Sequence, residues 1–374
     1  MIPFNKPYIA GGELKYIADA VSRGHISGNG HYTKKCQLFF EKRWGFKKTL
    51  LTTSCTDALE MCALLLDIKD GDEIIIPSFT FVSTALAFVR QGAKIVFADS
   101  RKDHPGIDED GIEKLISRKT KAIVVVHYAG ISTDMGKVMK LAEKYGIFVV
   151  EDAAQAIDSY YNDRSLGSIG HLGTFSFHET KNIQCGEGGL LAINDDQFSK
   201  RAEIIWEKGT NRAEFFRGEI NKYGWVDTGS SFLPSEITAA FLWGQLENLE
   251  RIQNKRMELW QCYYNNLKKI EDYVSLPYIP DYASNNAHLF YLVCESNKVR
   301  DGLIQHLKSN KYNAVFHYLS LHNSKFMLKR YDGMDLVNSN RYSDNLIRLP
   351  LYFELTTNDV KSICNSILHF FDTL

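Results

Sequence analysis

The sequence predicts an α/β fold, with a large domain built on a mostly parallel central sheet followed by a smaller α+β domain. Three observations carry that reading. Short β-rich apolar runs alternate with amphipathic helical stretches across residues 49–152, the pattern of a buried parallel sheet flanked by helices. The texture changes from about Ser230, where a helical stretch rich in Leu, Glu, Gln and aromatics runs from Pro234 to about Lys269. The length, 374 residues, exceeds one typical domain. Residues 1–250 are therefore read as the large domain and 251–374 as the small one.

Taken in order, residues 1–30 form an irregular lead-in around one helix, roughly Gly12 to Ser22, and end in the loop Ile26-Ser-Gly-Asn-Gly-His. Its Gly-x-Gly lacks a preceding strand and a third glycine, so it does not make a dinucleotide fingerprint. Cys36–Trp44 reads as a short amphipathic helix. A strand at Thr49 passes into Thr53-Ser-Cys-Thr, which opens a helical run. Strands follow at Glu73–Pro77, Lys94–Asp99, Lys121–His127 and Gly146–Asp152, with helices near Ser83–Gln91, Asp110–Ser117 and Asp134–Tyr145 between them. The C-terminal unit reads as a strand (Ala287–Glu295), a helix (Val299–Lys308), a strand (Asn313–His317) and a helix (Thr357–Phe371).

Composition narrows the function. A net charge of −1 without long basic or acidic runs argues against nucleic acid and gives no polybasic membrane signal. No apolar segment is long enough to span a bilayer and the N-terminus lacks a signal-peptide core, so a cytoplasmic protein is expected. The seven cysteines are scattered without CxxC pairs, which fits a reducing compartment. No metal site is expected, since no carboxylate–histidine cluster at ligand spacing surrounds the histidines near residue 320.

In parallel sheets, ligands collect at the C-terminal strand ends. There the chain carries Pro77-Ser-Phe-Thr-Phe, His127-Tyr-Ala-Gly and Glu151-Asp-Ala-Ala-Gln. Ser54, Cys55 and Thr56 would place hydroxyls and free N–H groups at a helix N-terminus, a geometry that binds phosphate; simple capping by Ser54 or Thr56 is the alternative. From Gly173, an alternating run ends in Ser176, His178 and Lys181, and Gly186, Gly188 and Gly189 follow. A lone lysine at a strand end is ordinarily a solvated charge. Joined to Asp152, Gln155 and the Ser54–Thr56 cluster, it supplies what pyridoxal phosphate (PLP) requires: an amine anchor, an acid for the pyridine nitrogen and a phosphate cradle. Phe79 or Phe81 would offer the ring an aromatic face.

The segments Pro77-Ser-Phe-Thr-Phe-Val-Ser-Thr, Glu151-Asp-Ala-Ala-Gln, Ser176-Phe-His-Glu-Thr-Lys-Asn and Gly186-Glu-Gly-Gly resemble the DegT/DnrJ/EryC1/StrS sugar aminotransferases over nearly the whole chain. The resemblance implies an aspartate aminotransferase-like fold, fold type I among PLP enzymes. It implies Lys181 as covalent anchor and proton carrier, Asp152 at the pyridine nitrogen, Gln155 near the phenolic oxygen and Phe81 on the ring. Phosphate would be held by Ser54, Cys55, Thr56 and Ser176. In the family, a Gly-Tyr-Asn-Tyr-Arg loop of the neighbouring subunit completes the phosphate site within a homodimer. The matching stretch here is Gly229-Ser-Ser-Phe-Leu, which puts Ser231 in the place of asparagine. His317, Tyr318 and His322 match the segment that faces the sugar nucleotide, with partly buried structural histidines as the alternative.

Glu207-Lys-Gly-Thr-Asn-Arg, Trp225–Glu236 and Val315-Phe-His-Tyr are most similar to a subgroup that makes dTDP-4-amino-4,6-dideoxygalactose for surface polysaccharides. The implied substrates are L-glutamate and dTDP-4-keto-6-deoxyglucose. Amination at C3, or the gluco epimer, stays open, as does a non-catalytic protein on the same fold. Lysine at position 181 speaks against the related dehydratases, which carry histidine there. His178 is assigned no role.

Overall fold

The short apolar runs of the first half form one sheet buried on both faces. In the computed structural model of the chain, which describes residues 1–373, the first strands are β1 (Lys48–Thr52), β2 (Glu73–Pro77), β3 (Lys94–Ala98), β4 (Thr120–Val126) and β5 (Phe148–Asp152). A small hairpin of β6 (Tyr160–Tyr161) and β7 (Arg164–Ser165) precedes β8 (Leu172–Ser176) and β9 (Gly189–Ile193). The sheet order is β1-β9-β8-β5-β4-β2-β3. β9 runs antiparallel to both neighbours, and the other pairs are parallel. Along β4, Ala122 and Val124 enter one core while Ile123 and Val125 enter the other. Both faces are apolar, so the strand shows no polar alternation.

The helices of this half are α1 (Glu13–Ser22), α2 (His31–Trp44), α3 (Cys55–Leu65), α4 (Ser83–Val89), α5 (Glu109–Ile112), α6 (Met135–Tyr145), α7 (Ser199–Trp206), α8 (Arg212–Phe216) and α9 (Glu236–Leu246). The second half adds α10 (Leu249–Leu267), β10 (Val274–Ser275), β11 (Phe290–Cys294), α11 (Asn297–Ser309), β12 (Val315–Phe316), α12 (Val337–Asn345), β13 (Leu346–Leu349) and α13 (Thr357–Asp372). Its strands form an antiparallel sheet in the order β10-β11-β13-β12. α10 serves both units: Leu249 and Ile252 join the large core, whereas Leu259, Trp260, Tyr263 and Leu267 join the small one. Phe79, Tyr128 and Ile131 meet Leu289, Tyr291 and Tyr342 in a further cluster that bonds the units together.

Several boundaries depart from the sequence reading for tertiary reasons. α2 starts at His31, not Cys36, because the buried Glu236 carboxylate accepts from the amides of Tyr32 (2.7 Å) and Thr33 (3.0 Å) and so caps the helix from far along the chain. The stretch Pro234–Lys269 divides into α9 and α10 at Glu247–Asn248. α5 is a single turn continued by a 3-10 turn at Glu113–Leu115. α12 and β13 escaped prediction altogether. The first residues, grouped by sequence with 1–250, pair instead with the C-terminal unit. The Ile2 amide donates to the Lys311 carbonyl (2.8 Å) and the Asn313 amide to the Ile2 carbonyl (3.0 Å).

Among the described residues no helix is long and apolar enough to cross a membrane, and no group of three or more His, Cys, Asp or Glu could hold a metal ion.

Glu151 fixes the C-terminal end of β5. Its fully buried carboxylate accepts from the amides of Gly167 (2.7 Å), Ile169 (2.6 Å) and Gly170 (2.6 Å), and it lies 2.9 Å from His127 Nε2. The Thr133 amide donates to His127 Nδ1, so a neutral imidazole presents N–H to Glu151. Replacing Glu151 with alanine leaves several buried donors unpaired. We expect Glu151→Ala to lose about 3–5 kcal/mol of unfolding free energy in urea titration. A loss under about 1 kcal/mol would show that this carboxylate is not the anchor.

Candidate active site

At the C-terminal edge of the parallel strands lies a cavity of ≈ 410 Å³ lined by Ser54, Cys55, Thr56, Phe81, Asp152, Gln155, Ser176, Lys181, His317 and Tyr318. The residues singled out in the sequence thus converge, with three exceptions, the first being Phe79, which is buried in the cluster between the units. Ser231 is exposed and bridges to Glu207, outside the lining of its own chain's cavity. His322, expected to face substrate beside His317, lies behind the wall. Its Nδ1 is 2.6 Å from Ser78 Oγ and its ring packs on Phe97 and Tyr331, so it ties the small unit to the end of β2.

The candidate anion cradle is the start of α3. Ser54 adopts the extended N-cap conformation and its Oγ accepts from the Asp57 amide (3.1 Å). Thr56 Oγ1 donates to Ser83 Oγ (2.8 Å). Capping uses the Ser54 hydroxyl as an acceptor and leaves its O–H free to donate, while the amides of Cys55 and Thr56 have no intrahelical partner. Gly189 explains part of the glycine turn: a Cβ there would collide with the Ser54–Cys55 peptide, so β9 can pass the cradle only with glycine at this point.

Asp152 is buried. Its carboxylate accepts from Thr84 Oγ1 (2.7 Å) and the Ala154 amide (3.2 Å), and Thr80 supports Thr84 at 2.9 Å. Burial pushes the carboxyl above its usual range, against the pull of these hydrogen bonds and of Lys181. Gln155 is clamped: its Oε1 accepts from the Ala129 amide (2.7 Å) and its Nε2 donates to the Tyr318 hydroxyl (3.2 Å). Burial lowers the Lys181 amine, and Cys55 and Asp152 only partly offset this. A lysine so placed has more of the neutral, nucleophilic amine near neutral pH.

His178 acquires a role as a clamp on the turn that presents Lys181. Its carbonyl accepts from the Lys181 amide (2.9 Å). Its Nδ1 accepts from the Thr180 amide (3.3 Å), and its Nε2 lies 3.7 Å from Glu187. His317 lies 3.0 Å through Nδ1 from the Tyr128 hydroxyl, and burial holds its imidazole well below the usual range, hence neutral. Phe81 is 55% exposed at the cavity mouth, with its ring 5.9 Å from that of Tyr318.

Sequence reasoning missed Thr84, Tyr128 and Arg348. Arg348 lines the cavity from β13; the signal was a lone arginine within the apolar run Leu346-Ile-Arg-Leu.

The arrangement fits PLP: a poorly solvated amine, a buried acid, a glycine-backed anion cradle and a clamped amide open into one space. The family model described as the DegT/DnrJ/EryC1/StrS aminotransferase family matches residues 7–368. An uncharacterized protein of Methanocaldococcus jannaschii is 30% identical, over 98% of this chain and 96% of that protein. Among solved structures, PseC of Helicobacter pylori, an aminotransferase involved in pseudoaminic acid biosynthesis, superposes with a TM-score of 0.91 at 25% identity, covering 100% of both chains. A PLP form of a Streptococcus pneumoniae protein gives 0.91 at 25% identity, covering 100% of this chain and 98% of that one.

The raised Asp152 carboxyl has a consequence for stability. The folded protein binds this proton more tightly than the unfolded chain, so stability falls as pH rises past the ordinary carboxylate range. Asp152→Asn is expected to raise the melting midpoint of cofactor-free protein near neutral pH by about 2–4 °C, with the gap closing on the acid side, while turnover is lost. Equal midpoints at neutral pH would show that Asp152 carries no such penalty.

Proposed function

The chain belongs to the DegT/DnrJ/EryC1/StrS aminotransferase family, and from that membership we propose a PLP-dependent transaminase acting on a nucleotide-linked ketosugar. The observation that carries the reading is the convergence of Lys181, Asp152 and the N-terminus of α3 on one cavity. When bound, PLP supplies the electron sink for loss of a proton from the amino-bearing carbon. Lys181 would hold the cofactor covalently and would carry that proton. Asp152 would hold a proton at the pyridine nitrogen, and Gln155 would stand by the phenolic oxygen. Phe81 would cover the ring face. Ser54, Cys55, Thr56 and Ser176 would hold the phosphate.

The reaction we propose is ping-pong. L-glutamate gives up its amine and leaves as 2-oxoglutarate; dTDP-4-keto-6-deoxyglucose then takes the amine at C4 to give dTDP-4-amino-4,6-dideoxygalactose, a precursor for surface polysaccharide. The similarity of Glu207–Arg212, Trp225–Glu236 and Val315–Tyr318 to the subgroup that makes this sugar supports the choice. His317 and Tyr318 face the substrate. The active enzyme is a cytoplasmic homodimer in which Ser231 completes the neighbouring subunit's phosphate site. Exposed apolar residues near Ser231 in the chain, Phe216 (68%) and Trp225 (84%), support a covered face there.

Incubation with L-glutamate and dTDP-4-keto-6-deoxyglucose, followed by NMR of the sugar, is expected to show the amine at C4 in the galacto configuration. An amine at C3, or the gluco epimer, would revise the substrate orientation. Lys181→Ala is expected to abolish turnover, and appreciable residual transamination would overturn the assignment.

A further inference from the structure

The transaminase reading gives Asp152 to the pyridine nitrogen and leaves open what fixes the charge of that carboxyl. Its two oxygens are held from two elements. Thr84 Oγ1, in the first turn of α4, donates to Oδ2 (2.7 Å), and the Ala154 amide donates to Oδ1 (3.2 Å). Thr80, just before α4, lies 2.9 Å from Thr84, hydroxyl to hydroxyl. Both threonines are buried. Hydroxyls at the start of a helix ordinarily bond to nearby backbone groups. Among the described residues neither of these has a backbone partner, and the pair is aimed at a side-chain carboxylate.

A hydroxyl has one proton to give. With the Thr84 proton on Asp152, the Thr80 hydroxyl donates to Thr84, and the chain runs from Thr80 through Thr84 to the carboxylate. Each bond polarises the next. The last has the length of a charge-assisted bond and favours the ionised acid. It thereby opposes the effect of burial.

Few other groups serve that end. The titratable side chains around Asp152 are the Lys181 amine, the Cys55 and Cys62 thiols of α3, the Tyr318 phenol and the His127 imidazole. Burial pushes the thiols and the phenol up, so they stay neutral. His127 is neutral as well and gives its N–H to Glu151. Lys181 is the one cation among them, and it is the amine assigned to the cofactor. Apart from Lys181, a negative Asp152 is supported by the Thr84 hydroxyl and the longer Ala154 amide.

We propose that Thr84, backed by Thr80, is the positioning residue that keeps Asp152 ionised and fixed in the cavity. A carboxylate held in its charged form leaves the proton it shares on the ring nitrogen. One that has lost its donor draws that proton onto itself and weakens the electron sink.

The consequence for turnover rests on the transaminase reading, whereas the hold on Asp152 is tested without cofactor. In cofactor-free protein, Thr84→Val removes a donor to the charged acid, so its loss of melting midpoint against wild type is greatest where Asp152 is ionised. The deficit is expected to shrink by about 2–4 °C from pH 8 towards pH 5. In an Asp152→Asn background the same substitution should cost the same at every pH. Thr84→Ser, which keeps the hydroxyl, should follow the wild-type profile, and Thr80→Val should move as Thr84→Val does but less. In cofactor-loaded enzyme without acceptor, single-turnover loss of the lysine-bound cofactor absorbance with L-glutamate should slow about tenfold in Thr84→Val. The half-saturating concentration should hold, and the rate should return in Thr84→Ser.

A Thr84→Val deficit that is equal at every pH, or equally pH-dependent beside Asp152→Asn, would reduce Thr84 to packing and overturn the proposal. So would a Thr84→Ser protein that behaves as Thr84→Val. An unchanged single-turnover rate in Thr84→Val would overturn its part in the reaction. If the cofactor-free profiles are as expected but wild-type enzyme shows no absorbance change with any amino donor, the transaminase reading fails and the hold of Thr84 on the Asp152 charge stands.

Discussion

The structure depends on two adjacent carboxylates at the end of β5, treated in opposite ways. Strand geometry sends Glu151 and Asp152 to opposite faces of the sheet. Glu151 is satisfied by three amides and an imidazole N–H, which closes the 167–170 loop against the strand. Asp152 receives one hydroxyl and one longer amide contact, and faces the cavity. A fully satisfied buried carboxylate is structural. A half-satisfied one is available to a cation, which is the role proposed for Asp152 at the pyridine nitrogen. The first makes the second possible by holding the strand end in place.

Sheet topology then brings the amine to the acid. β5 and β8 are parallel neighbours, so Asp152 and Ser176 end at the same edge. β9 reverses direction beside β8 and must return across that edge within a short connection, which contains Lys181. The reversal is also why glycine is needed at position 189, where the returning strand meets the Ser54–Cys55 peptide. The positions of Lys181, Asp152 and the start of α3 are therefore consequences of one sheet order.

What was legible in the sequence follows from how local each feature is. Strand ends with polar residues just beyond an apolar run are local patterns, and they revealed Asp152, Gln155, Ser176 and Lys181. The cradle at Ser54–Thr56 is local as well. Arg348 was hidden because it lies on β13, a four-residue strand that follows directly on a short polar helix and has no turn signal before it. The start of α2 was hidden because its cap, Glu236, is supplied from another part of the chain. His322 has the right spacing from His317 to share the site, yet its ring is drawn to Ser78 on the outer side of the wall. Spacing alone does not show which side of a wall a side chain takes.

The charge balance of the cavity explains why the small unit matters to the chemistry. Burial keeps His317 and His288 neutral and weakens Lys181 as a cation, while a guanidinium remains charged even when burial lowers it. Arg348 lines the same cavity as Lys181 and Asp152. It comes from the C-terminal sheet, and its cover, Phe4, comes from the N-terminal segment stapled to that same unit. The lining of the cavity therefore depends on how the small unit seats against the large one, through the Phe79–Tyr128–Tyr291 cluster. A change in that packing would displace Arg348 and His317 before it displaced Asp152 or Ser176, which stand on the large sheet.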